Sequence, residues 1–347
     1  MRLNRRTFLK QATMYGMLLS SPAVFTQSCR EEPQQPDRID IHHHILPPVY
    51  TKALTKIGIT SFGGLPLPYW NAQRSLDLME RNRIATAITS ISAPGIYFGD
   101  SDFAIDLGRQ CNEFSATLIS DHKPRFGGFA VLPLPDVDAA LKEVEYALDI
   151  LKLDGVVLYS NVAGLYVGAP EFDELYAELN RRKAVVYIHP TTPADDKFPP
   201  MDIPPSIMEF VFDTTRAIGN MIVNKTIKQY PDIRFIVSHA GGTAPYIAWR
   251  ISLLDYLLYT DTINDLKSLY YDTTLSASAY ALGALQELAD PARLLFGSDY
   301  PFAPEMVISL SIFGLNSWDG FDEEKLRGIK SNNALNLFPR FVKKENG

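Results

Sequence analysis

From Arg38 onward, apolar runs of six to eight residues alternate with longer stretches in which apolar positions recur every three or four residues. This rhythm belongs to a parallel sheet whose strands are each followed by a helix. The apolar runs predict strands at 38–44, 85–92, 126–132, 155–161, 184–189, 233–239, 269–275 and 294–299. The periodic stretches predict helices near 71–82, 102–121, 136–152, 171–182, 206–229, 244–259, 279–289 and 322–338. Asp136 and Pro170 are start signals, and Pro231 and Pro291 interrupt the chain shortly before the sixth and eighth strands. Eight strand–helix units within residues 38–347 predict an α/β (β/α)8 TIM barrel. A doubly wound open sheet is the competing reading, but no glycine-rich phosphate loop follows the first strand.

Composition fits an ordinary folded chain: 46% hydrophobic and 21% charged residues over 347 positions supply a sizeable core. A net charge of −7 argues against a nucleic-acid surface. Two cysteines, Cys29 and Cys111, cannot build a disulfide framework or a thiolate metal site. Chemistry must therefore come from His, Asp, Glu or hydroxyl groups.

The six histidines are not scattered: five fall at the ends of predicted strands one, five and six. Strand one ends Ile39-Asp40-Ile41-His42-His43-His44, strand five Ile188-His189-Pro190, and strand six Ser238-His239-Ala240-Gly241-Gly242. In a barrel the C-terminal strand ends carry the active site. Side chains alternate along a strand, so Asp40, His42 and His44 share a face and His43 takes the other with Ile39 and Ile41. His43 is thus expected to be structural, and His122 a loop residue. Strand eight ends Phe296-Gly297-Ser298-Asp299, next to strand one in a closed barrel. His42, His44, His189 and Asp299 can converge on one divalent cation and leave a position for water. That donor set suits zinc, with manganese, iron or cobalt as alternatives. Such an ion lowers the pKa of bound water to about 7. His239 is placed to act on that water as a general base, the alternatives being a fifth ligand or a packed core histidine.

The first residues form an address. Arg5-Arg6 with Phe8-Leu9-Lys10, then a short apolar stretch, resembles a twin-arginine signal peptide over residues 1–28; a basic amphipathic helix is the alternative. Its removal takes the net charge from −7 to −11. Residues 29–37 read as a tether. Cys29 stands where a lipoprotein cysteine would, although Thr26-Gln27-Ser28 departs from the apolar sequence usual before one. The expectation is an exported protein, periplasmic or anchored by lipid at Cys29.

Four motifs in order, residues 40–48, His189-Pro190, 238–246 and 296–302, together resemble the amidohydrolase-related metal-dependent family, in the branch containing aminocarboxymuconate-semialdehyde decarboxylase. The resemblance covers residues 38–339 and implies a (β/α)8 barrel with His42, His44, His189 and Asp299 as ligands and His239 activating water. No lysine ends strand four, so the carbamylated binuclear site of other amidohydrolases is unsupported. By the same resemblance Arg250 binds the substrate carboxylate across a homodimer interface. The other carboxylate-binding arginine of that branch has no counterpart in residues 61–70, which argues against the same dicarboxylate substrate. Trp70, Tyr97 and Phe98 are candidate walls of an aromatic pocket. Two activities fit one metal site: non-oxidative decarboxylation of a small unsaturated or aromatic carboxylate, with Asp299 and His239 moving protons, and hydrolysis of a lactone, ester or amide. Arg250 favours the first. A ligand-binding module on a dead barrel would have lost ligands, and here all are present.

Overall fold

A computed structural model describes residues 36–195 and 201–342. The leader, Cys29 and most of the tether lie outside them. Eight strands form one parallel sheet in sequential order: β1 Arg38–Ile45, β2 Ile84–Ile91, β3 Phe126–Val131, β4 Gly155–Tyr159, β5 Val185–His189, β6 Arg234–Val237, β7 Tyr270–Asp272 and β8 Leu294–Leu295. The sheet returns on itself. Ile41 N–H donates to Phe296 O at 3.0 Å, Asp299 N–H to His42 O at 2.8 Å and His44 N–H to Tyr300 O at 2.7 Å. This joins the segment after β8 to β1 and gives the expected (β/α)8 barrel. Every residue of β1, β3 and β5 is buried, which is why these strands read as unbroken apolar runs wherever chemistry does not intervene.

All eight predicted strands are present, several shorter than expected. β6 stops at Val237 and β8 at Leu295, so His239 and Asp299 stand beyond the ladder on loops. Asp136 caps its helix, its carboxylate accepting from Ala139 N–H at 2.9 Å. The stretch 136–152 is α-helical only over Val137–Glu145 and then widens into a π turn, Tyr146–Ile150. Pattern reading missed three helices, Pro48–Lys56, Thr262–Ser268 and Glu305–Ser317. The last carries apolar residues on several faces, with Met306, Leu310 and Phe313 exposed, so it shows no single stripe.

It also missed a small hairpin of Ser61–Phe62 paired with Leu65–Pro66. Its turn residues Gly63 and Gly64 have φ of 58° and 82°. A Cβ on Gly64 would lie 2.8 Å from the Pro204 backbone, so glycine lets the hairpin press against the segment after β5.

One irregularity matters for the site. The register of β1 against β2 slips between Asp40 and His43. Strict alternation, which places Asp40 with His42, fails there. The Asp40 carboxylate turns to His43 Nδ1 at 3.0 Å and to the Ser298 hydroxyl at 2.6 Å, while His43 Nε2 meets Ser75 Oγ at 2.9 Å. His43 is fully buried and structural, tying β1 to helix Ala72–Arg81.

Candidate metal centre and active-site cleft

His42, His44, His189 and Asp299 present one ligand atom each within 4.8 Å of one another. His42 Nε2 and His44 Nε2 are 3.1 Å apart, and Asp299 Oδ1 lies 3.4 Å from the first and 3.3 Å from the second. Each ring is held from behind. His42 Nδ1 donates to Asp272 Oδ2 at 2.9 Å, and His189 Nδ1 to the Pro190 carbonyl at 2.7 Å. His44 Nδ1 is 3.0 Å from Ser90 Oγ. With Nδ1 carrying the proton, the Nε2 lone pairs of His42 and His189 turn inward beside that of His44 and the carboxylate. Converging lone pairs and an anion suit a divalent cation, and outer-shell partners of this kind fix ligand tautomers.

The electrostatics agree. Burial opposes charge on His42, yet Asp272 and Asp299 outweigh it and lift the pKa to about 10. Burial pushes His44 down to about 4, with His42 adding to the effect. His189 is held well below the ordinary value by burial and by the neighbouring imidazoles. Burial would raise the Asp299 pKa, but His239, His42 and His44 hold it well below the carboxylate range. Without an ion, the Asp299 and Asp272 carboxylates thus draw a second proton onto His42, which a bound cation would displace, while His44 and His189 stay neutral.

Asp272 was not identified in the sequence. It ends β7 at the close of Tyr270-Tyr271-Asp272, the same signal of an acid after an apolar strand that pointed to Asp299. Fully buried, it accepts from His42, from the Tyr187 hydroxyl at 3.0 Å and, through Oδ1, from His239 N–H at 2.9 Å and Thr274 N–H at 3.0 Å. One carboxylate therefore fixes both a ligand and the loop bearing His239.

His239 Nε2 stands 3.8 Å from Asp299 Oδ2, outside the four-ligand cluster, and its buried Nδ1 has no hydrogen-bond partner. Both residues take left-handed backbone, φ 52° for His239 and 62° for Asp299. Non-glycine residues in that region carry strain of roughly 1–3 kcal/mol, tolerated where the surroundings over-determine the geometry. A glycine assists: a Cβ on Gly297 would fall 2.1 Å from Thr274 Oγ1 and 2.6 Å from His42 Cβ.

The cage opens into a cleft of about 560 Å3. His189, His239 and Asp299 line its inner end. Its walls come from the hairpin (Phe62, Leu65), the segment after β5 (Ile207, Phe210), the loop after β7 (Leu275) and the start of helix Glu305–Ser317 (Val307, Leu310). No Lys or Arg is among its described lining residues. Trp70, Tyr97 and Phe98 do not line this cleft. Trp70 is buried and donates to Ser75 Oγ at 2.8 Å, Phe98 packs on Phe103, and Tyr97 borders a smaller cavity of about 170 Å3. Arg250 lies exposed in the last turn of helix Ala244–Ser252, outside the cleft of its own chain, and its guanidinium has no partner among the described residues.

The family model described as amidohydrolase matches residues 39–340. A 6-methylsalicylic acid decarboxylase from Penicillium expansum is 36% identical over 87% of this chain and 96% of its own. A 2-amino-3-carboxymuconate-6-semialdehyde decarboxylase from Dictyostelium discoideum is 25% identical over 87% of this chain and 92% of its own. A crystal structure titled as an amidohydrolase II superposes with a TM-score of 0.83 at 32% identity, covering 87% of this chain and 99% of that one. The chain belongs to the amidohydrolase family and is a carboxy-lyase of that superfamily, in its decarboxylase branch.

Proposed function

We propose that this enzyme is a metal-dependent, non-oxidative decarboxylase of a small aromatic monocarboxylate, 6-methylsalicylate being the first substrate to try. The observation that carries the reading is the convergence of His42, His44, His189 and Asp299 at the inner end of a mostly apolar cleft, with His239 beside Asp299. The relatives that decarboxylate aromatic acids favour it over hydrolysis.

His42, His44, His189 and Asp299 would hold one divalent ion, zinc by donor type, with manganese, iron and cobalt compatible. Bound there, such an ion supplies Lewis acidity, polarising an oxygen of water or of the substrate. The protein's own groups handle the proton. The His239–Asp299 pair delivers one to the ring carbon that bears the carboxylate. The carbon–carboxylate bond then breaks, its electrons restore the aromatic ring, and CO2 leaves. The apolar walls exclude water from the protonated ring.

Arg250 completes the site from a second copy in this proposal. Tyr246, Trp249, Leu253, Tyr256, Leu257 and Tyr259 around it are large apolar side chains, all at least half exposed, which supports a homodimer through this face. Export by the twin-arginine route, folded and already metal-loaded, and attachment through Cys29 remain part of the same proposal and rest on the sequence of the leader.

The test is to incubate metal-loaded protein with a panel of aromatic carboxylates and lactones in D2O. Decarboxylation gives CO2 and an arene deuterated at the vacated carbon. Ring-opened acid without CO2 would overturn the proposal in favour of hydrolysis.

A further inference from the structure

Resting on that reading, we infer that the substrate is an aromatic acid with one carboxylate and, on the other side of the ring, an unbranched alkyl chain of several carbons. The cleft's size is the first observation. A cavity of about 150 Å3 accommodates a benzene ring, whereas this one offers about 560 Å3. A methyl-substituted ring would leave most of it to water.

The second observation is how polarity is distributed. His189, His239 and Asp299 gather at the inner end, and beyond them the walls turn to Phe62, Leu65, Ile207, Phe210, Leu275 and Leu310. Four of these are markedly exposed: Leu65 38%, Ile207 65%, Leu275 46% and Leu310 61%. They come from four separate chain segments yet converge on one rim, so the exposed apolar surface belongs to the cleft rather than being scattered. An alkyl chain lying along them would remove that surface from water. The third observation is the absence of Lys and Arg from the described lining residues. A second carboxylate in the outer cleft would lose its hydration without a partner. Ser276, Ser278 and Ser311 offer only neutral contacts there. The outer cleft thus selects for hydrocarbon and against a dianion.

The experiment measures calorimetric binding of 2-hydroxybenzoates bearing a 4-methyl, 4-propyl, 4-pentyl or 4-heptyl group, opposite the carboxylate, to metal-loaded, full-length protein, with CO2 release followed in parallel. Each methylene buried should lower Kd about fourfold, the pentyl compound exceeding the methyl one by well over tenfold. Leu310→Asp should reduce the heptyl-to-methyl affinity ratio at least tenfold, and a thermal melt of the same variant reports its folding. Affinity that is flat or falls with chain length, or failure of every member to bind, overturns the inference. CO2 release with flat affinity overturns the alkyl site and leaves the decarboxylase standing. Affinity rising with chain length but no CO2 from any member supports the alkyl site and removes the decarboxylase.

Discussion

Asp272 joins the two halves of the chemistry, since one oxygen orients His42 and the other anchors the backbone of His239. Replacing it by Asn keeps the shape and removes the charge that fixes the His42 tautomer. Loss of such an outer partner typically costs about 10- to 100-fold in metal affinity. Asp272→Asn should therefore bind its ion that much more weakly when titrated against a chelator of known affinity; parental affinity would show that the contact is incidental. His239 is expected to separate differently. His239→Gln should retain a full equivalent of metal and lose about 100-fold or more in kcat, the usual contribution of a positioned proton donor. Metal loss in step with activity would make it a ligand instead. The clustered histidines and Asp299 were legible because they stand within or just after buried apolar strands, where a polar residue needs a purpose. Asp272 was harder to see: it closes a three-residue strand, and His42, Tyr187 and His239, which it holds, are distant in sequence.

At the scale of elements, strands were readable and cleft walls were not. Burial on both faces writes a barrel strand as an apolar run. The hairpin of Ser61–Pro66, the loop after β7 and helix Glu305–Ser317 follow no such period, because they face the cleft on one side and solvent on the other. The slip in β1 at Asp40 is equally invisible to an alternation rule. Two glycines give a paired test of the packing around the cage. Gly297→Ala places a methyl group into Thr274 and His42, and overpacking of this sort costs about 1–3 kcal/mol. Gly219 lies within helix Glu209–Val223 with open space where its Cβ would be. Gly219→Ala should stabilise by about 0.5–1 kcal/mol. Urea titrations of the metal-free proteins would measure both. Equal and negligible shifts would mean that the backbone at Gly297 is free to move away from His42.

The whole molecule combines a closed barrel, a metal cage at its C-terminal mouth, and an exposed aromatic face around Arg250. If that face pairs two copies and Arg250 serves the partner's cleft, Arg250→Ala and His189→Ala proteins should each be inactive alone. After mixing and subunit exchange, heterodimers carry one intact site, so activity should return to roughly a quarter of the parental value at equal mixing. No recovery in a mixture shown by mass to exchange would assign Arg250 to its own surface. The barrel as a whole was legible because its eight units repeat one physical pattern. The occupant of the cleft was not, since walls assembled from loops leave no period in the sequence.

The most direct test of decarboxylation at this cage is a CO2 balance on one preparation taken through metal removal and return, with 6-methylsalicylate as substrate. The expected result is one CO2 per 3-methylphenol formed, activity abolished by chelation, and activity restored by one equivalent of a divalent ion. Undiminished turnover in protein stripped of metal, or consumption of substrate without CO2, would contradict it.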